Sequence, residues 1–291
     1  MRWKRGRGRN QIEDRRAEDV GPLGTGRSDI PISLPVGGGI GGILVVLLLV
    51  LLSTGILGRG SGGSDRSGSG SGQIAGAPDA DADLVDFVGF VVDDVQGFWQ
   101  QDFAGAGRTY QVTKLVLFTD QTVSGCGLAS SDTGPFYCPI DRKVFLDLGF
   151  FRELSDRFQA PGDFAQAYVI AHEFGHHVQT LLGTRDRVEE ERRAHPSETN
   201  ELSVRTELQA DCYAGVWAHS AYDQQQLESG DMDEALAAAA SVGDDRIQRS
   251  AGRSVDPETW THGSSEQRSK WLTIGFRSGD PAACDTFSGS I

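Results

Sequence analysis

Tyr168-Val169-Ile170-Ala171-His172-Glu173-Phe174-Gly175-His176-His177-Val178-Gln179 is the stretch on which the reading of this 291-residue chain turns. Upstream, Pro161-Gly162 precedes Asp163-Phe164-Ala165-Gln166, which has the form of an N-cap with a Gln three residues later. Downstream, Gly183 follows Leu181 and Leu182. A helix is therefore predicted over 163–183, capped by Asp163. His172 and His176 then lie on one helical face, about 6 Å of rise apart, so two imidazoles can reach one cation. Glu173 stands beside the first of them, where its carboxylate serves a water as general base. The flanks are those of a buried helix, and burying two histidines and a glutamate without a metal or partners is costly. The bland alternative is an amphipathic helix whose polar stripe happens to hold these residues.

A catalytic zinc takes three protein ligands and leaves one position open. The extended HExxHxxGxxH pattern is excluded, because Gln179 and Leu182 stand where its glycine and third histidine belong. Further on, Glu207-Leu208-Gln209-Ala210-Asp211 sets two carboxylates four apart on a second predicted helix, 200–221. Glu207 is the expected third ligand, and Asp211 the acceptor for the other ring nitrogen of a ligand histidine. An ordinary solvated acidic face is the competing reading of that pair. Cys212 points about 140° away from Glu207, and His177 about 100° from His176, so neither suits the same metal. His195 and His219 read as surface residues. His262, beside Gly263 at the start of a predicted helix over 265–276, is a candidate donor to a developing oxyanion, with turn chemistry as its alternative.

Charge divides the chain. Through Asp29 there are eight Lys/Arg against five acids, a net +3, which leaves −17 on the remainder of a chain whose total is −14. Nucleic-acid binding by the large acidic part is not expected. No charged residue occurs between Asp29 and Arg59, and 40–57 is apolar or small, long enough to cross a bilayer. A cleaved signal peptide is the rival; the long basic lead and long apolar run favour an anchor. The resulting division is a cytoplasmic basic tail (1–38), a transmembrane helix (39–58), a Gly/Ser-rich flexible linker (59–82) and a folded domain (83–291), with the domain outside the cytoplasm. Four cysteines suit an oxidising compartment. They allow three pairings, of which Cys126 with Cys138 and Cys212 with Cys284 is preferred on loop length.

Strands are predicted over 114–118 and 143–148, and helices from Leu84 through Trp99 and over 232–247. The fold class is α+β, a small sheet packed on a mainly helical domain. Cys126-Gly127, Gly134-Pro135-Phe136-Tyr137-Cys138-Pro139, His172 to Gln179, Glu207 to Trp217 and His262 to Arg268 together resemble the bacterial neutral zinc metallopeptidases, single-span membrane proteins with a zincin-like domain. More loosely, the order HExxH, ExxxD, then His before a helix is similar to thermolysin and the CAAX prenyl proteases. The resemblance implies Zn2+ held by His172, His176 and Glu207, Glu173 as base, Asp211 in support, His262 by position alone, and a peptide or protein substrate. Strand 143–148 is the expected docking edge for an extended peptide. A catalytically silent zinc-binding or interaction ectodomain is the alternative, and a protease acting within the bilayer is a weaker one, since no other span exists.

Overall fold

A computed structural model describes residues 1–4, 9–18 and 79–291. In chain order its strands and α-helices are β1 (Ile12–Asp14), α1 (Ala82–Gly105), β2 (Leu115–Phe118), β3 (Gln121–Ser124), β4 (Gly127–Ser130), β5 (Phe136–Cys138), β6 (Lys143–Asp147), α2 (Gly149–Asp156), α3 (Asp163–Leu181), α4 (Thr184–Ala194), α5 (Thr199–Asp223), α6 (Asp231–Ser241), α7 (Asp244–Ser250) and α8 (Ser265–Ser278). The expected α+β class, mainly helical with small sheets, is what forms. The predicted span over 39–58 and the linker through residue 78 lie outside the described residues; of the linker's last four residues, which are described, Ala82 already opens α1. Among the described residues, no helix is long and apolar enough to cross a membrane.

Four strands make one sheet in the order β1-β2-β6-β5, with β1, β2 and β6 parallel and β5 antiparallel to β6. Strand period 2 divides the sheet's two faces. Leu115, Leu117, Val144 and Leu146 join the main helical core, whereas Val116, Phe118 and Phe145 form a smaller cluster with Cys138. β6 is thus an interior strand, with β2 on one side and β5 on the other. It cannot be the open edge expected of 143–148, because both its hydrogen-bonding sides are taken; the free edge on that side belongs to β5.

α5 crosses the core, packing most extensively on α8 and then on α3. Trp217 on α5 stacks on Phe164 at 5.8 Å, and Tyr213 meets Trp99 of α1 edge-on at 5.4 Å. Gly215 and Gly275 bring α5 and α8 into backbone contact. A Cβ on Gly275 would overlap the Cys212 carbonyl, and one on Gly215 would overlap that of Leu272. Both preferred disulfides are present, Cys126–Cys138 and Cys212–Cys284, the second tying α5 to the turn after α8.

Two local expectations fail for physical reasons. Asp163 does not cap α3; Gly162 holds that position with φ 122°, and the Asp163 carboxylate instead accepts the Met1 ammonium at 2.6 Å. The predicted helix over 232–247 is two helices, broken at Gly243, which packs so closely on Ser265 that a Cβ has no room. The basic stretch read as a separate tail is, in its described part, packed on the domain, with β1 as an edge strand beside β2.

Replacing Gly275 with Ala should cost about 3 kcal/mol of stability, because the α5–α8 contact must open. Gly97→Ala in α1, where an added Cβ meets nothing within 4 Å, should instead stabilise by about 0.5–1 kcal/mol. Denaturant unfolding of the two variants beside the parent chain checks both signs.

Candidate metal centre

α3 and α5 cross where both are thin. Gly175 lies between Glu173 and His176, and a Cβ there would stand 3.0 Å from the Ala210 carbonyl oxygen and 3.1 Å from its Cα. Ala210 in turn lies between Glu207 and Asp211. Side chains on either flank of this crossing are thereby carried into one buried space.

His172, His176 and Glu207 meet there, with ligand atoms within 4.8 Å of one another. His172 Nε2 is 3.2 Å from one Glu207 oxygen, and His176 Nε2 is 3.5 Å from the other. Donors about 2.1 Å from a tetrahedral zinc stand roughly 3.4 Å apart, so these separations fit such an ion with a fourth position open. The remaining ring nitrogens are both engaged. His172 Nδ1 donates to Asp211 at 2.8 Å, and His176 Nδ1 faces Gln179 Oε1 at 2.9 Å. Gln179 is itself fixed by donating to the Thr206 carbonyl at 2.7 Å and to Gln209 at 3.2 Å.

Asp211 is fully buried and held from three sides. Arg268 of α8 donates to both its oxygens at 2.8 Å, and the Tyr168 hydroxyl donates to it at 2.5 Å. Burial opposes its charge, but Arg268 and His172 outweigh that and lower it to about 2. Burial likewise opposes charge on Glu207; His176 and His172, with a smaller contribution from His262, hold it well below the usual carboxylate range. For His172 burial is outweighed by Asp211 and Glu207, and it is raised to about 10, while burial takes His176 down to about 4. Glu173 is pushed up to about 7 chiefly by burial, although the Tyr137 backbone N–H on β5 is directed at it. Without a cation, then, the site holds its two carboxylates partly by keeping a proton on His172.

His262 sits at the same space. Its Nδ1 donates to Asp244 at 3.2 Å, and Asp244 also accepts the backbone N–H groups of Thr261, His262 and Gly263 at 2.7, 2.6 and 3.0 Å. Among the described residues Nε2 makes no hydrogen bond, and the ring is near enough to Glu207 for each to shift the other. His177, by contrast, is structural. One ring nitrogen meets the Gln111 carbonyl at 2.7 Å and the other the Tyr137 hydroxyl at 3.1 Å. His195 is exposed beside Glu191, His219 bonds the Phe276 carbonyl, and Cys212 is in its disulfide.

Sequence reasoning gives no role to Tyr168, Gln179, Asp244, Arg185 or Arg268. Tyr168 and Gln179 carry a signal, at i−4 from His172 and i+3 from His176, which sets each on its histidine's face. Arg268 has none, since an arginine on an exposed-looking helix reads as surface charge. Arg185 opens α4, partly buried, its guanidinium 6.0 Å from the Tyr137 ring centroid and without a hydrogen bond among the described residues. A second acidic group, Asp163, Asp231 and Glu234, also has its carboxylates close together. It already has a cationic partner: the Met1 ammonium lies 2.6 Å from Asp163 and 3.4 Å from Asp231, and Glu234 accepts the Phe164 N–H.

The family model described as "Putative neutral zinc metallopeptidase" matches residues 1–287. A relative from Escherichia coli (strain K12), "Uncharacterized protein YpfJ", is 44% identical over 300 residues that cover 100% of both chains. "Uncharacterized protein Mb2605" of Mycobacterium bovis and "Uncharacterized protein Rv2575" of Mycobacterium tuberculosis are each 46% identical over 207 residues, 67% of this chain and 68% of theirs. No solved structure matches. A match of that extent, on a chain whose helices carry two imidazoles and a carboxylate to zinc-ligand spacing, places the protein in the neutral zinc metallopeptidase family.

Proposed function

We propose that this chain is a zinc-dependent endopeptidase of the HExxH, Glu-liganded zincin type, hydrolysing peptide bonds in peptide or protein substrates. The observation that carries the reading is the approach of His172, His176 and Glu207 to zinc-ligand separation with Glu173 beside them. Zinc, when bound, lowers the pKa of a water to about 7 and polarises the scissile carbonyl. Glu173 takes the water's proton and delivers it to the leaving amine, a task suited to a carboxylate whose burial brings it near neutrality. His262, its Nδ1 fixed on Asp244, turns Nε2 to the oxygen that gains negative charge. Asp211, clamped by Arg268, keeps His172 in the tautomer that presents Nε2.

The substrate chain pairs along β5, whose outer edge is unpaired among the described strands and whose Tyr137 N–H is directed at Glu173. Arg185, over the Tyr137 ring and without a hydrogen-bonding partner among the described residues, receives a substrate carbonyl or carboxylate in this reading. Attachment to a membrane through 39–58, with the catalytic domain outside the cytoplasm, belongs to the same reading; the apolar run and the two disulfides support it.

Glu173→Gln should lower kcat/KM on an unfolded protein substrate by about 10²–10⁴-fold while leaving zinc content unchanged. Wild-type rates in that variant would end the assignment, and zinc binding without any hydrolysis by the parent would favour the silent ectodomain. Because His172 is protonated at pH 7 in the metal-free site and must be neutral to ligate, zinc binding should release about one proton. Calorimetry in two buffers of different ionisation enthalpy measures it. Asp211→Asn should reduce that release and weaken zinc about 10–100-fold in chelator competition.

A further inference from the structure

The basic N-terminal segment has no part in the chemistry, yet it is bound to the domain in three ways. β1 extends the sheet, with Ile12, Glu13 and Asp14 in register with Leu115, Val116 and Leu117, and the Arg15 N–H continues the pairing to the Leu117 carbonyl at 2.8 Å. Trp3 packs on Phe87 and Phe90 of α1, with ring centroids 5.6 and 6.4 Å apart. The charged groups are paired across the contact. Arg9 meets Asp86 at 2.7 Å, Arg16 meets Asp79 at 2.7 Å, and Lys143 of β6 meets Glu13 at 2.7 Å.

In the sequence the same arginines read as a signal that retains the N-terminus in the cytoplasm. The contacts give them another use. The described arginines find carboxylates across the contact, Arg9 at Asp86 and Arg16 at Asp79, so complementarity of charge and a backbone ladder fix the place of the described segment. The Arg16–Asp79 pair also holds the two flanks of the intervening stretch at one spot on the domain surface. If 39–58 crossed a bilayer once, those flanks would be separated by about 30 Å of hydrocarbon. Neither a strand ladder nor an ion pair at 2.7 Å survives that separation. Docking and a single crossing exclude each other.

We infer that the N-terminal segment is a structural strand of the peptidase domain and lies on the same side of the membrane as that domain, so that the polypeptide between Glu18 and Asp79 begins and ends on one side. This replaces the expectation of a cytoplasmic tail opposite the domain, and it is independent of whether the metal centre cleaves peptides.

The test uses the full-length chain in bacterial cells. The four native cysteines are bridged, so Lys4→Cys or Glu190→Cys, both at exposed positions, each supplies the single free thiol. A membrane-impermeant maleimide is applied to intact and to permeabilised cells. The two variants should label under the same condition; labelling of one in intact cells and of the other only after permeabilisation overturns the inference. In the purified chain, Arg16→Cys with Asp79→Cys should be joined within one molecule by a bismaleimide whose span matches an arginine–aspartate ion pair. Two thiols that react only singly with that reagent while the chain remains folded overturn the docking itself.

Discussion

Everything at the candidate metal centre depends on how closely α3 and α5 approach at Gly175 and Ala210. Two helices that meet through larger side chains sit about 8–10 Å apart axis to axis, and short donors such as His and Glu then fall short of a common point. Here a residue without a side chain faces one with a single methyl, and the donors flank them in both sequences. Glu173 and His176 lie on either side of Gly175, Glu207 and Asp211 on either side of Ala210. Backbone contact at the crossing is what turns two i,i+4 pairs on separate helices into one constellation.

That proximity creates an electrostatic problem which the rest of the site answers. Three carboxylates, Glu173 on α3 and Glu207 and Asp211 on α5, are buried around one helix crossing, and isolated buried charges are expensive. Arg268 neutralises Asp211 with two hydrogen bonds, the Tyr168 hydroxyl adds a third, and Glu207 is left facing two imidazoles. In the absence of a cation the balance falls on His172, which is protonated, and on Glu173, which burial brings to about 7. A divalent ion fits this space because it supplies the positive charge that the protons otherwise provide.

Most of this centre is legible in the sequence because helical periodicity is local information. The spacing of His172 and His176, and of Glu207 and Asp211, fixes which side chains share a face before any tertiary contact is known. What is not legible is set by contacts between distant segments. Arg268 reads as surface charge until α8 is seen to lie on α5. Asp163 has the form of a cap, but a long-range ammonium takes its carboxylate. Strand 143–148 reads as an edge because strand order carries no local signature; β1 on the far side of β2 and β5 beside β6 come from opposite ends of the pattern. The N-terminal arginines are the sharpest case, since a row of basic residues before an apolar run has the same composition whether it is retained by a membrane or paired with an acidic domain.

α5 shows why the arrangement tolerates so much buried charge. One of its faces presents Glu207 and Asp211 to α3; another presents Gly215 and Cys212 to α8 and the following turn. Close packing on the second face holds α8 at a fixed height, and α8 brings Arg268 to Asp211, while the loop before it brings His262 to the site under the grip of Asp244. A shift of α8 along α5 by even one residue, about 1.5 Å, would withdraw the guanidinium from both Asp211 oxygens. The glycine contact and the disulfide remove that freedom. The geometry of the candidate metal centre is therefore maintained from the back of α5, at residues that never touch His172, His176 or Glu207.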